Sequence, residues 1–241
     1  MTRRDGPDLI LAVDVKRPAE AERILDPLKE NLRYVKIGPR LFAAGGMRFV
    51  RRVIRAGFSV FLDLKLHDIP NTVAEAVDLF ARNGIWALTL HASGGEEMLR
   101  AAGSAKVGAG SALMLLGVTV LTSMDQRSLD MTSPGSGLQG TILSRARLCE
   151  DCGLDGIVCS PRDLPLVVPR FTDRLVTVVP GIRDGQGARD DQKRTASLED
   201  ALEMGADYVV IGRPIVRAPL PLEAMSEYSE RLERWRGNNG Y

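Results

Sequence analysis

The sequence predicts an α/β chain folded as one (β/α)8 TIM barrel, a single domain over residues 1–241. Three observations predict it. Short β-rich runs alternate with helical segments along the whole length, about eight of each. The spacing between runs fits one helix each. No Pro/Ser linker or break in composition divides the chain.

The first strand, residues 9–15, is an apolar run interrupted by Asp14, and Pro18 opens the helix after it, where a residue without an N–H is tolerated. The second, 34–38, embeds Lys36 in Tyr-Val-Lys-Ile-Gly. The third, 59–66, carries Asp63 and Lys65 and runs through Asp68 and Ile69 to Pro70, which opens the third helix with Asn71 and Thr72 in its first turn. Five further strands are expected at 86–91, 112–121, 156–159, 175–179 and 208–211. Gly57, Gly84, Gly153 and Gly205 each follow a helix and precede a strand, the place for a left-handed cap. An open doubly wound sheet is the alternative. Against it, Asp14-Val-Lys-Arg-Pro18 stands where a glycine-rich phosphate turn would follow the first strand.

Bulk properties exclude several classes. A chain with 44% hydrophobic and 26% charged residues is ordinary globular protein rather than a disordered tail. A formal net charge of +1 offers no field for nucleic acid or an acidic membrane. The longest apolar stretch, 112–121, is too short to span a bilayer, and the N-terminus carries no secretory pattern, so a cytoplasmic protein is expected. Three cysteines make no disulfide framework. Cys149 and Cys152 form a C-x-x-C pair, but no second pair follows at zinc spacing, and packing is the expected role.

Reacting groups in such barrels gather at the carboxyl ends of the strands. Side chains alternate along the third strand, so Asp63 and Lys65 share one face while Leu62, Leu64 and Leu66 share the other. The leucines suit the layer between strand and helix, which turns Asp63 and Lys65 into the barrel. Burying charge is costly without partners, and Asp63, Lys65 and Asp68 lie close enough in sequence to serve one another. Only six of the 32 basic residues are lysines, yet both strand-embedded cations, at 36 and 65, are lysine. Lysine can give up a proton where arginine cannot, so Lys65 is a candidate proton donor. The competing reading is a buried ion-pair network that only holds the barrel together.

The seventh strand exits through Pro180-Gly181-Ile-Arg183 and the eighth through Gly212-Arg213-Pro214, the loops where barrels commonly bind phosphate. Glycine lets the backbone approach an anion and arginine can chelate it. The polar segment 183–197 is long for a barrel loop and is read as a lid over that anion, with Gln192 as a contact. His67 and His91 end adjacent strands but lack a further ligand for a metal site. Thr122 and Ser123 end the fifth strand, either to bond a planar polar ligand or to cap a short helix near Met124.

Asp63-Leu-Lys-Leu-His-Asp-Ile-Pro-Asn-Thr72 resembles the signature of the orotidine 5′-monophosphate decarboxylase family. Leu-Ala-Val-Asp14, Val-Lys36-Ile-Gly, Val-Leu-Thr122-Ser, the segment 153–160, Pro-Gly-Ile-Arg183, Asp-Gln192-Lys-Arg and Val-Ile-Gly212-Arg213-Pro follow in family order, so the likeness spans the chain; its Pro-Gly-Ile-Arg loop resembles the bacterial branch. The resemblance implies decarboxylation of orotidine 5′-monophosphate to UMP, with no cofactor and no metal. It implies Lys65 as proton donor to C6, Asp63 against the substrate carboxylate, and Lys36 and Asp68 completing an alternating charged array. Asp14, Lys36 and Thr72 would hold ribose hydroxyls, Thr122 would face the pyrimidine, and Arg183, Gln192, Gly212 and Arg213 would bind the phosphate side. Ile69, Ser123 and Pro180 complete the implied substrate-binding set. It further implies a homodimer in which Asp68 and Thr72 reach the neighbouring site. Related barrels that use Mg²⁺ to stabilise an enediolate also carry Asp-x-Lys-x-x-Asp, but need a carboxylate near the second strand, and no acidic residue lies between Asn31 and Phe61. A barrel that only binds a nucleotide or sugar phosphate is the non-enzyme alternative.

Overall fold

The computed structural model describes residues 6–183 and 194–241. Eight parallel strands close into a barrel in chain order: β1 (Asp8–Ala12), β2 (Tyr34–Ile37), β3 (Ser59–Leu66), β4 (Ala87–His91), β5 (Met114–Val118), β6 (Gly156–Val158), β7 (Val176–Pro180) and β8 (Tyr208–Ile211). Closure is made by β8 against β1, in register from Asp8 opposite Tyr208 to Leu11 opposite Ile211.

The intervening helices are α1 (Pro18–Leu25), α2 (Pro39–Arg55), α3 (Pro70–Arg82), α4 (Glu96–Gly108), α5 (Gln126–Thr132), α6 (Leu138–Asp151), α7 (Leu164–Phe171) and α8 (Leu198–Glu203). A short α9 (Arg213–Val216) and the terminal α10 (Pro221–Asn239) follow β8. Proline opens α1 and α3 at the first helical position, as the sequence suggests, and Pro39 opens α2 in the same way. Gly57, Gly84, Gly153 and Gly205 all take positive φ, at 101°, 74°, 73° and 89°. Helix-to-strand turns therefore fall where those glycines stand.

Period-two alternation sorts the apolar residues into two layers. Ile10, Phe61, Leu116, Val178 and Val210 point inward and fill the barrel. Leu9, Leu11, Val60 and Leu62 point outward and pack beneath the helices, where α3 contributes Val73, Val77 and Phe80 from one face. At the amino ends of the strands, Tyr34, Trp86 and Tyr208 form a mutually packed trio with ring centroids 4.3, 5.3 and 5.4 Å apart.

Two strands end sooner than their apolar runs. The Val13 amide still donates to the Lys36 carbonyl at 3.1 Å, but the Asp14 amide turns back to the Ala12 carbonyl, so Asp14 begins a loop. Beyond β5, the Thr119 amide makes the final bond to β6 at the Val158 carbonyl. The Val120 and Leu121 carbonyls instead accept from the Arg194 guanidinium.

Candidate active site

The carboxyl end of β3 turns Asp63 and Lys65 into the barrel, one step above Phe61. Their side chains meet there. The Lys65 ammonium donates to Asp63 Oδ1 at 2.6 Å, and the Lys36 ammonium, from neighbouring β2, donates to Oδ2 at 2.8 Å. Asp63 is buried, while the Lys65 side chain keeps 32% of its exposure and faces the opening. Burial by itself pushes the Asp63 carboxyl up. The two ammonium charges and their hydrogen bonds outweigh it and hold this group well below the usual carboxylate range. Asp63 is therefore an anion at any physiological pH.

Lys65 is unusual in its backbone as well. Among the described residues it is the one non-glycine with positive φ, at 52°. Pairing between β3 and β4 slips between Leu62 and Leu66, so a bulge lifts Lys65 out of the regular ladder. Its amide donates to the Thr89 hydroxyl at 2.9 Å instead of to a strand carbonyl. A left-handed conformation in a residue with a Cβ costs on the order of 1 kcal/mol. It persists here because the neighbouring strand holds it.

Above this cluster opens a cavity of about 350 Å³ at the carboxyl ends of the strands. It brings together most of the residues singled out in the sequence: Asp14, Lys36, Asp63, Lys65, Thr122, Pro180, Arg183, Gly212 and Arg213 all line it. The charged cluster lies towards β2 and β3, and the arginines towards β7 and β8. One cavity thus joins a lysine–carboxylate end to an arginine-lined end. Gly212 has a packing reason of its own, since a Cβ there would come within 3.2 Å of the Ala12 Cβ and 3.3 Å of its carbonyl oxygen.

Other positions fall outside the cavity. Asp68, Ile69 and Thr72 are exposed beside its mouth, with Ile69 at 66%, and none of them lines it. The charged array within one chain is thus Lys36–Asp63–Lys65, without Asp68. Ser123 also does not line it, and neither Thr122 nor Ser123 caps the next helix. That helix is α5, starting at Gln126, and Asp125 caps it by accepting the Ser128 amide at 2.9 Å. Gln192, and with it residues 184–193 of the segment expected to act as a lid, lies outside the described residues.

The histidines pack on each other, ring centroids 5.4 Å apart. Burial, His67 and Lys65 all hold His91 below its ordinary pKa. Cys149 and Cys152 are free and buried, and burial pushes the Cys149 thiol up to about 12, as suits a packing residue.

Three residues were missed by reading the sequence. Arg40, in the first turn of α2, lines the cavity and lies 3.6 Å from Asp14. Thr89 is fully buried behind the lysines, and its Oγ1 donates to Asp63 Oδ1 at 3.1 Å. Arg194 is buried against Asp163. Only Thr89 left a usable signal: it shares the inward face of β4 with Ala87, so a hydroxyl stands where an apolar side chain would fill the barrel.

Comparison with known proteins places this arrangement. The family described as "Orotidine 5'-phosphate decarboxylase / HUMPS family" matches residues 7–228. A protein named orotidine 5'-phosphate decarboxylase from Opitutus terrae is 42% identical over 226 residues, covering 94% of this chain and 98% of its own length. One of the same name from Dichelobacter nodosus is 41% identical over 218 residues, covering 90% and 95%. Among solved structures, orotidine 5'-phosphate decarboxylase from Lactobacillus acidophilus superposes with a TM-score of 0.80 at 31% identity, over 95% of this chain and 99% of that one.

Proposed function

The chain belongs to the orotidine 5'-phosphate decarboxylase / HUMPS family, and on that premise we propose that it converts orotidine 5′-monophosphate to UMP in pyrimidine biosynthesis, without a cofactor. The observation that carries this reading is the Lys36–Asp63–Lys65 cluster facing one end of a cavity whose other end holds Arg183, Gly212 and Arg213.

The chemistry follows from that layout. The bond between C6 and its carboxylate breaks, CO2 departs, and the electron pair stays on C6. A vinylic carbanion at C6 has no ring position to delocalise it, so the site must supply the stabilisation electrostatically. The Lys65 ammonium stands where that charge develops and then donates its proton to C6. Opposite charges about 4 Å apart interact by roughly 4 kcal/mol at an effective dielectric of 20, about a thousandfold in rate if realised only in the transition state. The rest is drawn from binding the remote phosphate. Asp63 fixes both lysines and presents its charge to the substrate carboxylate. Lys36 and Asp14 hold the ribose hydroxyls, Thr122 and Pro180 border the base, and Arg183, Gln192, Gly212 and Arg213 take the phosphate.

The enzyme acts as a homodimer in which Asp68, Ile69 and Thr72 complete the partner's site. Their exposure beside the mouth, outside their own chain's cavity, supports this. It works in the cytoplasm, where its three free cysteines stay reduced. The metal-using relatives fit less well. Both oxygens of Asp63 already accept from lysine ammoniums, and Lys36 stands where a metal-binding carboxylate would be needed.

The test is turnover of orotidine 5′-monophosphate, followed by loss of its ultraviolet absorbance with excess EDTA present. Rapid, EDTA-insensitive formation of UMP, abolished in Lys65→Ala, is expected. No turnover by folded wild type, or activity that depends on Mg²⁺, would overturn the reading.

A further inference from the structure

Thr89 touches neither the cavity nor any atom that reacts, yet its one hydroxyl meets both halves of the charged cluster. Its Oγ1 accepts the Lys65 backbone N–H at 2.9 Å and donates its single proton to Asp63 Oδ1 at 3.1 Å. The same Asp63 oxygen also accepts the Lys65 ammonium at 2.6 Å. Backbone, carboxylate and ammonium of the reactive pair are therefore fixed to one buried point on the next strand.

The surroundings make that point indispensable. Lys65 lies in the left-handed region, so its N–H leaves the β3–β4 ladder where the register slips. A buried N–H without a partner is strongly disfavoured. Of the neighbours on β4, Leu88 and Leu90 face outward into the helix layer. Thr89 faces inward and is fully buried, so it accepts where the strand carbonyl does not. With its hydroxyl proton committed to Asp63, its lone pairs are left for the Lys65 amide.

We propose that Thr89 is a positioning residue for the decarboxylation. Its hydroxyl holds Lys65 in the bulged conformation that aims the ammonium at C6 and sets the angle of the Asp63 carboxylate. The proposal rests on the reading of the site as a decarboxylase. Its physical half, the anchoring of Lys65, stands on geometry alone. A displacement of about 1 Å at a reacting group lowers rate by on the order of a hundredfold while leaving remote binding intact. Thr89 thus acts on turnover and not on affinity, because the phosphate grip lies across the cavity.

The experiment compares wild type with Thr89→Val, which keeps shape and loses the hydroxyl, and Thr89→Ser, which keeps the hydroxyl. Thr89→Val should lower kcat by about tenfold to a hundredfold while KM and UMP affinity change less than about threefold. Thr89→Ser should recover most of the loss. If Thr89→Val does not fold, Thr89→Cys takes its place and should fall between the two. A separate reading needs no turnover. The chain has only six lysines, so ¹⁵N-lysine labelling gives a readable spectrum in which the Lys65 amide is assigned from Lys65→Arg. Its hydrogen exchange should accelerate at least tenfold in Thr89→Val and stay slow in Thr89→Ser. Unchanged kcat in Thr89→Val, a Ser variant as impaired as Val, or an unchanged Lys65 exchange rate would each overturn the proposal. Wild type that fails to turn over orotidine 5′-monophosphate would instead sink the decarboxylase reading, and the exchange rates would still decide whether Thr89 anchors Lys65.

Discussion

Arg194 and Asp163 form a buried ion pair, Nη1 to Oδ1 at 2.6 Å, with side chains only 8% and 6% exposed. The same guanidinium donates at 3.1 Å to the carbonyls of Val120 and Leu121, next to Thr122. Asp163 in turn accepts the Ser160 amide at 3.0 Å. One side chain thus fastens the chain entering α8 to the ends of β5 and β6. Nearby, the Arg183 amide donates to the Ala196 carbonyl at 2.9 Å. Both stems of the connection between β7 and α8 are therefore tied down beside the cavity.

Removing one member of this pair leaves a buried charge unmatched. Arg194→Met should destabilise the fold by about 3 kcal/mol, and the double variant Arg194→Met, Asp163→Leu should regain part of that loss. Urea denaturation of both variants measures it. A single variant as stable as wild type would show that the pair contributes nothing.

Acid should weaken the fold through Asp63. Its folded pKa is depressed by the two lysines, whereas an unfolded aspartate titrates near ~3.9. Its contribution is therefore fully present above about pH 4, and it is lost as pH falls from there towards the folded value. The unfolding free energy of wild type should decline over that window. Asp63→Asn should show a shallower decline there, from a lower starting stability, because its two lysine ammoniums lose their shared counter-charge. Parallel slopes in the two proteins would mean that other carboxylates control acid unfolding.

Arg213 should act through the phosphate alone. Arg213→Ala is expected to raise KM for orotidine 5′-monophosphate by about tenfold to a hundredfold, the worth of charge-assisted hydrogen bonds. Its effect on the phosphate-free nucleoside orotidine should be small. Steady-state kinetics on both substrates would show it. Equal losses on the two would place Arg213 elsewhere in the mechanism.

Shared sites can be tested by mixing two dead proteins. Lys65→Ala and Asp68→Ala homodimers should each be inactive, but a hybrid dimer holds one site with both lesions and one with neither. Random re-association should restore about a quarter of wild-type activity. Complete silence of the mixture, with hybrids present by native mass spectrometry, would mean that Asp68 serves its own chain.

What the sequence made legible was what a two-residue period makes legible. Asp63 and Lys65 share a face because strands alternate, and that sufficed to send them inward past Leu62 and Leu64. The bulge at Lys65 was not legible, because nothing in Leu-Lys-Leu distinguishes a left-handed lysine from a regular one; a contact with another strand decides it. Arg194 was hidden for the same reason, since its partners lie 31 and 74 residues away. The span of β5 was overread because hydrophobicity continues to Leu121, while hydrogen bonding passes from the ladder to an arginine. Ser123 sat in a matched motif, yet the strand end turns it away from the cavity.

The trio of Tyr34, Trp86 and Tyr208 gives the barrel a floor. The catalytic chamber is a cul-de-sac, with an inner wall of Phe61, Val118, Val158 and Val210 and its mouth at the far end. Traffic through one doorway has an order. Carbon dioxide is small enough to slip past a seated nucleotide, so the gas should leave first and UMP last. UMP should accordingly inhibit competitively against substrate, while added CO2 should leave the kinetics untouched.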